Sequence, residues 1–137
     1  MTAKRNKIIL DTNIILRYLL KDLEDQYDIV LKRFKKILVD KGVFLVFGEV
    51  VAECIYIMER LYKMTRTEIV SKFKPFLQTD VVALEDKNAV LAALMMYEST
   101  KLSYVDCLII QKGRGNEIEI FTFDKKLLAA IKQKAVK

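Results

Sequence analysis

The chain contains no histidine. That absence excludes a histidine general base, and it removes half of the ligand set that zinc sites usually draw on. The other half is thin. Cys54 and Cys107 stand far apart with no Cys-x-x-Cys spacing. In their apolar settings, AECIY and VDCLI, they read as small core hydrophobes of a reducing compartment. Glycine and proline are scarce too, at four and one, which leaves little room for linkers or disordered tails. No internal repeat, low-complexity stretch or domain boundary is visible. The 137 residues are therefore expected to form one domain, 1–137. A chain of this length buries roughly two-thirds of its unfolded surface, so a core needs no staples.

Long uninterrupted apolar runs are missing as well. The opening MTAKRNKIILDTNIILRYLL sets a basic stretch before an apolar one, but Asp11 and Arg17 interrupt it and no small-residue cleavage site follows. The second apolar stretch, VFLVFGEVVAECIYIM, carries Glu49 and Glu53 and is no membrane span. The expectation is a cytoplasmic protein with no membrane partner.

Positive charge is in excess. Lys and Arg number 24 against 18 Asp and Glu, giving a net charge of +6. A basic surface concentrates polyanions and puts nucleic acid among the partners. The cations are scattered, apart from the short run Lys32-Arg33 and Lys35-Lys36.

Four short runs read as strands: Lys7–Leu10, Val43–Phe47, Val81–Leu84 and Ile118–Phe123. The first three lack strict alternation, as expected of parallel strands buried on both faces. Glu119 places the fourth nearer an edge. Helical periodicity fills the gaps over Asp25–Val39 (stopped by Gly42), Val50–Leu61 and Thr67–Leu77, with Thr65 as a cap. Asp86 is expected to cap a helix to about Thr100. Ser103 begins another, Tyr104–Lys112, ended by the glycine pair Gly113 and Gly115, and Asp124 opens the last, to about Lys134. Alternating strands and helices imply an open parallel sheet covered on both faces, here of four to five strands. Such sheets bind ligands beyond the carboxyl ends of their strands.

Asp11 and Asp124 lie at those ends, beside Thr12 and Thr122. Each reads equally well as a helix cap. Glu53 sits one turn after Glu49, closer to the apolar stripe of Val50, Ile57 and Leu61. Asp106 is set among Val105, Leu108, Ile109 and Ile110. A carboxylate on an apolar helix face needs a partner, which a salt bridge, solvent or a metal can supply. Gathered carboxylates suit hard ions such as Mg²⁺ or Mn²⁺. An ion so held activates water and polarises a phosphoryl oxygen.

In order along the chain, Ile8-Ile9-Leu10-Asp11-Thr12-Asn13, Val50-Val51-Ala52-Glu53-Cys54, Tyr104-Val105-Asp106-Cys107 and Phe121-Thr122-Phe123-Asp124-Lys125 resemble the four motifs of PIN-domain ribonucleases. The resemblance is closest to the short VapC-type toxins of toxin–antitoxin pairs. It implies a three-layer α/β/α sandwich and an endoribonuclease dependent on Mg²⁺ or Mn²⁺, cutting RNA by metal-activated water. Asp11, Glu53, Asp106 and Asp124 would be the catalytic, metal-binding set, supported by Thr12, Asn13, Ser103 and Thr122. Ser103 stands where many relatives carry another acid, so one well-held metal is expected, with a second only when RNA is bound. The implied partners are RNA and a small antitoxin protein. A homodimer could use Ile57–Leu61 and Phe73–Leu77, which core packing explains equally well. Two other readings stay open: an RNA-processing nuclease without a toxin role, and a non-catalytic interaction module.

Overall fold

The computed structural model describes residues 6–133. The chain divides into two compact units, Met1–Glu85 and Asp86–Lys137.

The first unit is built on a parallel sheet. Three of the predicted strands form, each slightly shorter than its apolar run: β1 (Lys7–Ile9), β2 (Val43–Val46) and β3 (Val82–Leu84). Their order is β1-β2-β3, with Ile8 opposite Phe44 and Leu45 opposite Ala83. The central strand buries Phe44 and Val46, as a strand paired on both edges should. Four helices connect the strands: α1 (Thr12–Leu20), α2 (Glu24–Val39), α3 (Gly48–Arg60) and α4 (Arg66–Gln78). Helix α1 packs on α2 and α3, and α4 packs on α3 and β3.

The predicted limits of α2, α3 and α4 hold to within two residues, and local chemistry explains the ends. Thr65 and Glu68 form a reciprocal capping box at the start of α4. The Thr65 backbone N–H, then its side chain, hold the Glu68 carboxyl below its usual range. The stop expected of Gly42 is shared with its neighbour. Lys41, at φ 56°, takes the left-handed position, while the Gly42 N–H reaches the Ile37 carbonyl at 2.7 Å. Glycine is needed there for space, since a Cβ would meet Asn6 O and Ile37 Cγ2, both at 2.8 Å.

The core of this unit runs from Leu10, Ile15 and Leu16 through Val51 and Met58 to Ile69, Phe73 and Leu77. An aromatic group joins the helices to the sheet: Tyr18 lies 4.9 Å from Phe34, and Phe34 lies 4.4 Å from Phe44, centroid to centroid. Phe73 and Leu77 are fully buried, so the stretch Phe73–Leu77 belongs to the core and offers no dimer face.

The second unit is helical: α5 (Lys87–Ser99), α6 (Tyr104–Asn116) and α7 (Lys125–Lys132). Helix α6 packs on both others, around Val90, Leu94, Tyr97, Cys107 and Ile110. Three expectations need correction here. The run Ile118–Phe123 forms no strand among the described residues, so the sheet has three strands where four to five were expected. Ile118, Phe121 and Phe123 are 62%, 86% and 90% exposed. An apolar, β-prone run becomes a strand only with a partner for its backbone.

Helix α6 also continues past Lys112 through both glycines. Neither glycine has a positive φ, and Glu117, at φ 55°, ends the helix instead. Gly113 serves packing, since a Cβ there would stand 2.7 Å from Ile120 Cδ1. Asp86 precedes α5 as expected but makes no side-chain cap. Its backbone is left-handed, and its carboxylate pairs with Lys112 Nζ at 3.4 Å.

Among the described residues, no helix is long and apolar enough to cross a membrane.

Candidate metal centre

Asp11 follows β1 directly and is the N-cap of α1. Its Oδ1 accepts the Ile14 backbone N–H at 3.0 Å, which satisfies one of the donors a helix start leaves open. Capping occupies one carboxylate oxygen, and the residue remains exposed. The other oxygen is available to an ion. Here cap and site are compatible roles.

Glu53 lies in the body of α3 and is exposed, as is Glu49. Among the described residues Glu53 has no hydrogen-bond or salt-bridge partner. The thiol next to it records the electrostatics of this corner. Cys54 is fully buried and donates weakly to the Thr12 carbonyl at 3.8 Å. Burial first, then the negative charges of Glu53 and Asp11, push its thiol from 9.0 up to about 12. Glu53 is next to Cys54 in sequence, so its influence is unremarkable. Asp11 arrives from a different element. Two carboxylates thus act on one buried point at the junction of α1 and α3, and a cation placed outside it would gain from both. Thr12 is buried at the same junction, and Asn13 is exposed.

The second unit repeats the pairing of roles. Asp124 is the N-cap of α7, its Oδ1 accepting the Leu127 N–H at 3.0 Å. Thr122 Oγ1 accepts the Asp124 N–H, also at 3.0 Å, so Thr122 supports Asp124 through a hydrogen bond. Ser103 is the N-cap of α6 and accepts the Asp106 N–H at 3.1 Å. The Asp106 carboxylate is half-buried and has no hydrogen-bond or salt-bridge partner among the described residues.

The donors fit the ion the sequence calls for. Carboxylate oxygens are hard ligands, and Mg²⁺ is commonly bound through one or two of them while keeping several waters. Among the described residues no three His, Cys, Asp or Glu side chains form a group able to hold a metal. The structure therefore offers carboxylate oxygens of suitable chemistry and, among the described residues, no closed cage.

Around the first unit the short basic run divides over α2. Lys32, Arg33 and Lys36 border an open groove of about 460 Å³ floored by Ile9, Ile14 and Ile29. Lys35 instead faces a separate hollow with Tyr18, Phe34 and Lys72.

One polar cluster escaped the sequence reading. Arg17, noted only as an interruption of an apolar run, is nearly buried and ion-paired with Asp22 at 3.3 Å. Its Nη2 donates to Tyr62 Oη at 2.8 Å. A guanidinium on a helix whose neighbours are core residues was the available signal.

Comparison with known proteins adds three findings. The PIN domain family model matches residues 8–133. A VapC ribonuclease of Aquifex aeolicus (strain VF5) is 24% identical over 119 residues, covering 86% of this chain and 87% of its own. No solved structure matches the chain.

Proposed function

We propose, from the premise that this chain belongs to the PIN domain family, that it is an endoribonuclease dependent on Mg²⁺ or Mn²⁺. We further propose that it is the toxin of a toxin–antitoxin pair, bound in the cytoplasm by a small antitoxin protein. Residues 1–137 act as one nuclease domain in this reading, because the family match spans both units. The likeness to a VapC ribonuclease supports the toxin role over RNA processing.

The observation that carries the proposal is the contact of the Cys54 thiol with the Thr12 carbonyl at 3.8 Å, which brings the chain neighbours of Asp11 and Glu53 together from two helices. These two carboxylates would hold the ion, and Asp106 and Asp124 complete the acidic set through the order of the four motifs. A bound divalent ion supplies a Lewis acid for the phosphoryl oxygen and an activated water. The chain's residues do the rest. The Ile14 N–H orients the Asp11 carboxylate and the Leu127 N–H orients that of Asp124, whose backbone N–H is held by the Thr122 hydroxyl. Lys32, Arg33 and Lys36 attract RNA phosphates, an attraction that weakens as salt rises.

The test is Asp11→Asn. Asparagine retains the cap but loses the charge. Cleavage of RNA with Mn²⁺ is expected to fall by at least about a hundredfold, the upper end of what loss of a supporting residue does at a metal site. The fold should persist, and growth arrest on expression of the chain alone should disappear. Undiminished cleavage by the variant would refute the assignment. Glu53→Gln and Glu49→Gln form the companion pair, with activity expected to be lost only in the first.

A further inference from the structure

Helices α1 and α3 are joined at two places. At the start of α1 and the middle of α3, the Cys54 thiol meets the Thr12 carbonyl, which brings the neighbours of Asp11 and Glu53 into contact. Near their ends, three side chains close a ring. Arg17 Nη1 donates to Asp22 Oδ2 at 3.3 Å, Arg17 Nη2 donates to Tyr62 Oη at 2.8 Å, and Tyr62 Oη donates to the same Asp22 Oδ2 at 3.0 Å. The order of these contacts, Thr12 with Cys54 and Arg17 with Tyr62, shows that the two helices run in the same direction.

Local backbone geometry builds the ring. Lys21 closes α1 in the left-handed conformation, with its N–H on the Arg17 carbonyl, and this turns the chain so that Asp22 faces back to Arg17. Beyond α3, the Tyr62 N–H still reaches the Ile57 carbonyl at 3.2 Å, and the Met64 N–H reaches Met58 at 3.1 Å. Tyr62 therefore stands on a wound, anchored turn. The Arg17 side chain is only 11% exposed and Asp22 31%. Removing one partner of a charge pair so shielded costs more than at a surface pair, because it leaves the other charge poorly solvated. The planar fork of arginine also fixes direction in a way that lysine does not. Arg17 is six residues beyond Asp11 and Tyr62 nine beyond Glu53, and among the described residues the ring shares no hydrogen bond or ion pair with either carboxylate.

We propose that the Arg17–Asp22–Tyr62 ring positions the candidate metal site. By clamping α1 to α3 beyond the Thr12–Cys54 contact, it sets the separation of Asp11, at the start of α1, and Glu53, in the body of α3. Arg17 and Tyr62 are positioning residues, acting through the helices that carry the carboxylates. The alternative is a ring that contributes stability alone. The metal half of the proposal rests on the nuclease reading above, and the geometric half does not.

Tyr62→Phe tests it, since the ring plane survives and only the hydroxyl is removed. Arg17→Lys is the second variant, keeping charge and losing the fork. Two measurements are made on each. The first is Mn²⁺ affinity by calorimetry, expected to weaken by about tenfold, as when a residue orienting a metal ligand is lost. Excess Mn²⁺ should then restore the maximal cleavage rate. The second needs no ion: the rate at which a small alkylating reagent labels Cys54, read by peptide mass. Cys54 labelling should rise severalfold while Cys107, buried in the other unit, labels at its former rate and serves as the internal control.

Equal acceleration at both cysteines would mean general destabilisation and would overturn the proposal. So would unchanged labelling and unchanged Mn²⁺ affinity. A wild-type chain that binds no Mn²⁺ would defeat the nuclease reading, and the Cys54 labelling would still decide whether the ring holds α1 on α3.

Discussion

The two units use the same vocabulary to different ends. Each contains an apolar run of strand-like composition, an aspartate that caps a helix and, among the described residues, a candidate acid with no hydrogen-bond or ion-pair partner. In the first unit the runs pair into a sheet whose central residues, Phe44 and Val46, are buried. In the second the comparable run Ile118–Phe123 stays unpaired, with Phe123 90% exposed. The acids differ in parallel. Asp11 and Glu53 come from two elements and meet electrostatically at Cys54. Asp106 and Asp124 are each served by a neighbouring hydroxyl, of Ser103 and Thr122. Composition proposes strands and sites alike, and partners decide which of them form.

The largest effect should come from the core of the first unit. Phe73 is fully buried between helices, and Phe73→Ala should cost about 3–5 kcal/mol in urea unfolding through lost transfer energy and a cavity. A loss below that of an ordinary surface substitution would mean that the core is placed wrongly. Next in size is an alkaline effect. The buried Cys54 thiol stays protonated in the folded chain up to about 12, against 9.0 in its ordinary state. Between those values the unfolded chain releases a proton that the folded chain keeps, so the stability fully present below pH 9 is lost as pH rises toward 12. The slope is at most about 1.4 kcal/mol per pH unit. Against Cys54→Ala, the wild type should show an extra fall above pH 9, and identical profiles would contradict the burial.

The smallest effect is expected at Phe123→Ser, within about 0.5 kcal/mol, as for exposed residues in general. A loss comparable to that of Phe73 would show that the run is covered in solution, and the contrast between the units would collapse.

Much of this was legible from residue order. Asp11 and Asp124 stand out because each directly follows an apolar run, and the capping of both helices follows from the chemistry of aspartate. Gly113 was misread, because glycine marks a helix end by backbone freedom and a close approach by lack of bulk, and only the neighbour Ile120 separates the two cases. Asp86 makes no cap because its backbone is left-handed where a capping residue is extended, and its carboxylate pairs with Lys112.

By itself the sequence determined the three paired strands and most of the helices, the absence of histidine chemistry and the positions of the acids, since periodicity and residue type are local properties. Tertiary structure alone decided that Ile118–Phe123 forms no strand among the described residues, that Phe73–Leu77 is core, and that Thr12 and Cys54, the neighbours of Asp11 and Glu53, come into contact. It also decided that Arg17, an apparent fault in an apolar helix, is held by Asp22 and Tyr62. Each of these depends on a partner distant in the chain, and pairing across distance is not written in any local pattern.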